Sequence, residues 1–477
     1  MILFATSEIY PFSKTGGLGD VAGVLPVALK ELGLEVAVIT PLYGRLHTAG
    51  HHIRLLMENC PVGYPWPETT ADIYTTQYKG VPVYFLDRPE YFDRRNLYCT
   101  YHGDYFDNCE RFIFFAKALL SWILWMDQPP GVVHCNDWHT SLIPAYLYYA
   151  GQRDPFWSEI SSVLTIHNLA FQGQFSARLF WESGLPVQAW NMDGAEYYGS
   201  FNLLKAGIAY SDKITTVSPS YAEEIRTPEF GYGLEGILTQ RSSDLSGILN
   251  GVDYTVWDPR EDSFLAANYD PYDPSGKRVC KRELVERMGL GSRFASRPVL
   301  GFVGRMRSQK GVDIILEHLS ELLALDLGLI FLGEGDLETE TGLSNMAESY
   351  PGQIAVAIGY TEELSHLIIA GADILLMPSR YEPCGLTQLY SLRYGTLPVT
   401  SNVGGLKDTV GPYPEPGCTG FKFDLAKPEG FLRAVREAVD LWSDPEGWDD
   451  MRKRAMLQDF SWLASARKYM SLYQSLL

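Results

Sequence analysis

The sequence predicts an α/β protein made of two doubly wound, Rossmann-like domains facing each other across a cleft. Three observations predict it. Short apolar runs alternate with helical patterns along the chain. The alternation stops in a polar, turn-rich stretch at 240–262 and then restarts. In both halves, polar and glycine-rich clusters follow directly on the apolar runs, where open α/β sheets hold their ligands.

Size and composition agree with that class. The chain has 477 residues, enough for two or three domains with sizeable cores. Its 46% hydrophobic and 20% charged residues are globular values. A net charge of −19 argues against nucleic acid and against anionic membrane surfaces. It leaves room for small anionic ligands, because a few local Lys and Arg can dominate one cleft. The 29 Tyr and 11 Trp suit sugar faces, although most such rings belong to cores. Seven scattered Cys without a C-x-x-C pair suggest neither a zinc site nor a disulfide framework, which fits a reducing compartment. The start, Met-Ile-Leu-Phe-Ala, lacks the basic segment and longer apolar run of a signal peptide. The most apolar helical pattern, Phe112 to Met126, carries Lys117 and is too short to span a bilayer. A cytoplasmic protein is expected.

In chain order, residues 2–6 read as a strand and Val21 to Leu32 as a helix. Between them lies Ser13-Lys14-Thr15-Gly16-Gly17-Leu18-Gly19-Asp20, where glycines let the backbone approach a ligand. The spacing is neither G-x-G-x-x-G nor a P-loop, so a tight turn with a surface lysine reads equally well. Val36 to Thr40 is the next strand. Residues 58–110 are loop-rich and aromatic, with a hairpin-like strand at Val81–Leu86. The Tyr91–Asp93 and Gly103–Asn108 clusters have the composition of a glucan path, but packing explains most of them. Val132-Val133 leads into His134-Cys135-Asn136-Asp137-Trp138-His139. The two histidines are not spaced to share a face, which disfavours a metal. Ser162–Ile166 is a strand ending in His167-Asn168, again at a strand exit. Tyr210 to Ser218 reads as a strand, and Gly231, Gly233 and Gly236 as a turn or a mobile loop.

The second half opens with a strand at Val299–Val303, followed by Gly304-Arg305 and Lys310-Gly311. Two cations beyond a strand read as phosphate ligands, one by a bidentate fork and one as a point charge. Leu329–Leu332 and Ile354–Ile358 are further strands. The second is followed by Tyr360, whose ring can stack on a base. The strand Ile374–Met377 ends at Pro378, and a loop with Glu382, Cys384 and Gly385 precedes helical spacing from Leu386 to Tyr394. The N–H groups around Leu386 and Thr387 are suited to a diphosphate, with Glu382 facing the attached sugar. A second apolar run at Leu397–Val399 leads to a Gly404-Gly405 loop. Trp442 to Leu477 reads as helical, with Trp462, Tyr469 and Tyr473 on a side that must bury.

These residues carry a resemblance. Lys14-Thr-Gly-Gly-Leu, His134-x-x-Asp137-Trp-His139, Thr165-Ile-His167-Asn, Arg305 with Lys310-Gly, and Ser379-Arg-Tyr-Glu382-Pro-Cys-Gly-Leu-Thr387 resemble the bacterial glycogen synthase and plant starch synthase family, in order and over essentially the whole chain. The resemblance implies a GT-B fold, with an acceptor-side domain at 1–245 and a nucleotide-sugar domain at 246–455. The segment 456–477 returns to pack on the first domain. It implies retaining transfer of glucose from ADP-glucose to the non-reducing 4-OH of an α-1,4-glucan such as glycogen or a maltooligosaccharide, with no metal and no cofactor. In that pattern Lys14 and Gly16-Gly17 lie against the sugar diphosphate, Arg305 and Lys310 hold phosphates, and Glu382 sits at the donor glucose. His167 lies beside the reacting sugar and Asp137 toward the acceptor. Asp20, Asn168, Tyr360, Cys384, Gly385, Leu386, Thr387, Gly404 and Gly405 complete the substrate-binding set.

Three departures accompany it. Tyr390 stands where many related retaining transferases carry a second Glu, as in the bacterial synthases. Val403 replaces the usual Thr before the glycine pair, and Ser401-Asn402 replaces a more basic stretch. The sequence shows no paired carboxylates for double displacement, which favours same-face attack. Other readings stay open at this point: a transferase of the same fold using UDP-glucose or another sugar, a pyridoxal phosphate phosphorylase, or a non-catalytic glucan-binding relative. Intact Lys14, Arg305, Lys310 and Glu382 speak against the last.

Overall fold

The first unit's sheet is built outward from β1 (Ile2–Ala5), whose four residues are all apolar and all buried. A strand of that kind needs cover on both faces, which parallel α/β packing supplies. The computed structural model describes residues 1–44, 52–63, 68–101, 103–427 and 429–477, so 64–67 and 102 of the loop-rich 58–110 stretch lie outside the described residues. The chain divides into two units, Met1–Leu249 with Trp462–Leu477, and Asn250–Ser461.

Further strands of the first unit are β2 (Val36–Pro41), β3 (Arg54–Val62), β4 (Thr69–Tyr78), β5 (Val81–Asp87), β6 (Val132–Asn136), β7 (Ser161–Ile166), β8 (Lys213–Thr216) and β9 (Leu245–Gly247). Among the described residues they join in the order β9-β8-β7-β6-β1-β2-β5-β4-β3. The pairs from β9 to β5 are parallel, and β5-β4-β3 is an antiparallel extension. β1 has β2 on one side and β6 on the other, so the winding reverses between β1 and β6. The core on one face joins Ile2, Phe4, Val38 and Phe85 to Val21 and Leu25 of the Gly17–Glu31 helix. It also takes in Trp462, Tyr469 and Tyr473 of the Trp462–Gln474 helix.

In the second unit β10 (Val299–Val303), β11 (Gly328–Gly333), β12 (Ile354–Ile358), β13 (Ile374–Met377), β14 (Leu397–Ser401) and β15 (Phe421–Phe423) are all parallel, in the order β12-β11-β10-β13-β14-β15. Here the reversal falls between β10 and β13. Each unit thus has one switch point, the place where doubly wound sheets bind ligands. Together the two units are the GT-B architecture.

Three local expectations are corrected. Tyr210 closes a helix, Leu203–Tyr210, and the strand begins at Lys213; Asn202 caps that helix by accepting from the Lys205 N–H. The turn-rich 240–262 stretch contains β9 at the edge of the first sheet. Of the two readings of Gly231–Gly236, the structure has the turn, with the Tyr197 hydroxyl donating to the Tyr232 carbonyl at 2.8 Å and Gly236 already in the Glu235–Gln240 helix. Trp442–Leu477 is two helices, Pro445–Met456 and Trp462–Gln474, because Asp459-Phe460-Ser461 leaves the helix and Phe460 pairs with Val252. Among the described residues, no helix is long and apolar enough to cross a membrane.

Candidate active site

At the switch point of the first unit, the chain leaving β1 carries Glu8, a residue that sequence reasoning passed over. It is 3% exposed. Its carboxylate accepts from the Thr15 N–H and hydroxyl, both at 2.6 Å, from the Gly16 N–H at 3.2 Å and from the Tyr98 hydroxyl at 2.8 Å. These bonds fix the Lys14-Thr15-Gly16 turn ahead of the Gly17–Glu31 helix, so Gly17 and Asp20 lie in the helix's first turn. Lys14 reaches Asp20 at 2.6 Å on the exposed side. A buried Glu has no local sequence signature; its proximity to Thr15-Gly16 was the only clue.

On the neighbouring strand β6, Asn136 ends the run and Asp137 takes φ 55°, a left-handed conformation rare for a non-glycine residue. Such strain is kept where the surroundings impose it, often at sites. Here the Asp137 N–H donates to the Thr165 carbonyl at 2.9 Å. Its carboxylate accepts from the His167 N–H at 2.8 Å and from the Asn168 N–H. Burial pushes the Asp137 carboxyl up to about 7; the two backbone donors act the other way and the nearby Glu8 charge adds to the rise. The His167 ring places Nε2 2.9 Å from Asn136 Oδ1, while Asn136 Nδ2 donates to the Ala5 carbonyl. That network assigns the proton to Nε2 and leaves Nδ1 as the acceptor. Burial holds this imidazole neutral, its pKa down to about 3.

His134 is not in the site. It is fully buried inside β6, between the Tyr473 hydroxyl at 2.7 Å and Thr165 Oγ1 at 2.6 Å. His139 stacks on Trp138 and Tyr98, at 4.0 and 4.5 Å between ring centres.

In the second unit, the exits of β10 and β13 are laced together. Lys310 Nζ lies 2.5 Å from Glu382 Oε2, and the Ser379 hydroxyl donates to the same oxygen at 3.2 Å. The Arg380 guanidinium grips Asp313 with two bonds of 2.8 and 2.6 Å and also donates to the Ser308 carbonyl. Gly311 has φ +71°, and a Cβ there would stand 2.0 Å from the Pro378 carbonyl oxygen, so only glycine lets the two exits close. Arg305 is exposed at the β10 exit, with no side-chain partner among the described residues.

Two short helices start at neighbouring exits, Thr387–Arg393 after β13 and Gly404–Thr409 after β14. Leu386 is the residue before the first helix. Gly404 and Gly405 form the opening turn of the second helix rather than a loop. The Gly405 N–H donates to the Glu382 carbonyl at 3.0 Å, and a Cβ on Gly405 would meet the Cys384 carbonyl oxygen at 2.0 Å. Gln388 Nε2 closes the Cys384-Gly385 turn by donating to both carbonyls. The Cys384 thiol is buried and pushed up to about 12, which keeps it protonated and unreactive. Val403 is tucked into the core, and the Ser401 hydroxyl donates to the Ser379 carbonyl at 2.5 Å. Val403 and Ser401 are therefore packing residues in this chain, while Asn402 is exposed. Tyr390 lies flat on Trp257, 3.9 Å between ring centres. Tyr360 stands apart, exposed beyond β12, three strands and about 14 Å from β13 at ordinary strand spacing.

Fold and strand-exit chemistry define a glycosyltransferase of the GT-B class. Residues 1–240 match the family model described as starch synthase catalytic domain, and 292–455 match glycosyl transferases group 1. The chain is 45% identical to the glycogen synthases of Anaeromyxobacter sp. (strain Fw109-5) and Myxococcus xanthus (strain DK1622), over 100% of this chain and 99% of each relative. The catalytic domain of starch synthase IV from Arabidopsis thaliana, solved with ADP and acarbose, superposes with a TM-score of 0.90 at 32% identity, over 100% of this chain and 99% of that one. A sucrose-phosphate synthase from Thermosynechococcus elongatus shares the fold at TM-score 0.60 and 16% identity. The chain belongs to the glycogen synthase and starch synthase family of retaining glycosyltransferases.

Proposed function

We propose that this protein transfers glucose from ADP-glucose to the 4-hydroxyl at the non-reducing end of an α-1,4-glucan, with retention. The observation that carries the reading is the Lys310–Glu382 pair, a cation and a carboxylate brought to one switch point from separate strand exits. The leaving group is a diphosphate, so the main catalytic need is to neutralise charge growing on it. Lys310, freed from Glu382 by the incoming phosphate, and the exposed Arg305 do this. The opening turn of the Thr387–Arg393 helix offers N–H groups to the same anion, and Gly404 and Gly405 let the backbone approach it. Glu382 then faces the donor glucose, flanked by Cys384 and Gly385, and Tyr360 receives the base.

In the first unit, Lys14, Gly16, Gly17 and Asp20 line the diphosphate side. His167, neutral with Nδ1 free to accept, takes a hydroxyl of the reacting sugar. Asp137 and Asn168 face the acceptor. Excluding water from the bound donor suppresses its hydrolysis. The bond from the anomeric carbon to the phosphate oxygen breaks, the bond to the acceptor oxygen forms on the same face, and the acceptor's proton passes to the departing phosphate. Trapping of a glucosyl-enzyme at Glu382 or Asp137 would refute that course.

Initial rates with ADP-glucose against UDP-glucose, on glycogen and on short maltooligosaccharides, test the reading. Elongation from ADP-glucose is the expected result; preference for UDP-glucose moves the donor assignment, and no elongation with either donor overturns the function. A cytoplasmic location belongs to the same reading and is checked by cell fractionation.

A further inference from the structure

The turn that carries Lys310 has no core of its own. Ser308, Gln309 and Lys310 form a short helical turn, and none of the three is buried. A group that acts on a departing phosphate must nevertheless be fixed closely, because a displacement of about 1 Å can cost about 10²-fold in rate. Contacts from outside the turn have to supply that precision. Most of them come from Arg380, two positions before Glu382, which the catalytic reading does not use.

Arg380 reaches the chain on both sides of Lys310. Its main-chain N–H donates to the Gln309 carbonyl at 2.8 Å. Its guanidinium donates to the Ser308 carbonyl at 2.6 Å and, through the fork, to both Asp313 carboxylate oxygens at 2.8 and 2.6 Å. Asp313 lies in the first turn of the Val312–Glu317 helix, just after Lys310 and Gly311. Within the turn, the Lys310 N–H donates to the Arg307 carbonyl at 2.8 Å and the Gly311 N–H to the Ser308 carbonyl at 3.0 Å. The Ser308 carbonyl is thus held from inside the turn and by Arg380 together.

Two other roles fit this geometry less well. An arginine at a strand exit is by type a phosphate ligand, but here the fork is already spent on Asp313 and Ser308. The Arg380 guanidinium also holds the Asp313 carboxyl below the usual carboxylate range, so the partner stays charged. A purely stabilising pair fits no better: both side chains are 41% exposed, and ion pairs that open to water contribute little to stability. We propose that Arg380, braced by Asp313, is a positioning residue that sets Lys310 for the departing phosphate. The proposal rests on the phosphate role of Lys310 given above. The Lys310–Glu382 contact exchanges when an anion arrives, whereas the bonds of Arg380 go to atoms that the anion does not displace.

The test uses the full chain with Arg380→Ala and Arg380→Lys, each alone and combined with Lys310→Ala. Arg380→Ala is expected to lower kcat with ADP-glucose about 10–10²-fold, less than Lys310→Ala does, with the donor KM changed no more than about twofold. Its melting temperature is expected to fall by no more than about 2–4 °C. Arg380→Lys keeps the charge without the fork and is expected to recover little of the lost kcat. With Lys310→Ala already in place, neither substitution is expected to lower kcat further, because the group acted upon is gone. Losses that multiply in the double variant, full activity in Arg380→Lys, or an unchanged kcat in Arg380→Ala each overturn the proposal. Amide hydrogen exchange of residues 308–311 needs no turnover. Faster exchange in Arg380→Ala than in wild type is expected, and an unchanged rate overturns the positioning role. Faster exchange in a protein whose wild type transfers no glucose would keep Arg380's hold on the turn and remove the catalytic reading instead.

Discussion

In the first unit, Glu8 and Asp137 are each gripped by two main-chain N–H groups, Thr15 and Gly16 for one, His167 and Asn168 for the other, with the Thr15 and Tyr98 hydroxyls added at Glu8. In the second, Glu382 is gripped by the side chain of Lys310, and Asp313 by that of Arg380. Main-chain donors at a strand exit cannot leave without unfolding the turn, so the first cluster presents the same geometry with or without ligand. An ion pair between side chains can exchange partners, so the second cluster keeps its cation neutralised until a stronger anion arrives. One side is built to position and the other to trade.

Lys310→Ala should have the largest effect. Loss of a preorganised cation on the departing phosphate lowers kcat about 10²–10³-fold, with a smaller change in donor KM. Steady-state rates with ADP-glucose check this; wild-type turnover would remove the phosphate role. Glu382→Gln sharpens the contrast. It should lower kcat about tenfold while lowering the donor KM, because Lys310 no longer has a competing carboxylate. An unchanged or raised KM would mean that the pair does not open on binding.

Asp137→Asn probes the fixed side through pH. The folded carboxyl at about 7 lies above its ordinary 3.8, so native Asp137 holds a proton that the unfolded chain has lost between those values. Its contribution to stability is present below about 3.8 and lost as pH rises through about 7. The melting-temperature difference between variant and wild type should therefore move in the variant's favour from pH 4 to pH 7. The acceptor kcat/KM of the wild type should also show an inflection near pH 7 that Asp137→Asn removes. Flat behaviour in both would place the residue's titration elsewhere.

Glu8→Gln should act mainly on stability. It weakens charge-assisted bonds worth roughly 1.5–3 kcal/mol, for a fall of about 4 °C or more in melting temperature. A loss of activity without that fall would contradict the anchoring role. The smallest effect is expected for Tyr473→Phe, which removes one buried bond to His134 and costs about 1 kcal/mol, read from denaturant midpoints at unchanged kcat.

Local sequence made the central strands legible because fully buried parallel strands such as Ile2–Ala5 and Ile374–Met377 are unbroken apolar runs. It began the strand too early, at Tyr210, which closes the Leu203–Tyr210 helix before the strand starts at Lys213; the Asn202 cap was the available signal. It missed Leu245–Gly247, an edge strand with a single large apolar residue. Residue types at strand exits flagged Asp137, His167, Arg305, Lys310 and Glu382 as candidates. What they bond to was out of reach: Lys310 and Glu382 are 72 positions apart, and the buried Glu8 grips a turn through backbone atoms that no side-chain pattern records.

Tyr473 touches His134, on the strand that ends at Asp137, yet it belongs to a helix made only after the second unit. On the ribosome, the first unit must wait with part of its interior wet while the rest of the chain emerges. Residues such as Phe4 and Val38 then stay within reach of chaperones or of a premature partner until the Trp462–Gln474 helix docks. The order of synthesis thus delays completion of a unit whose sheet is written first.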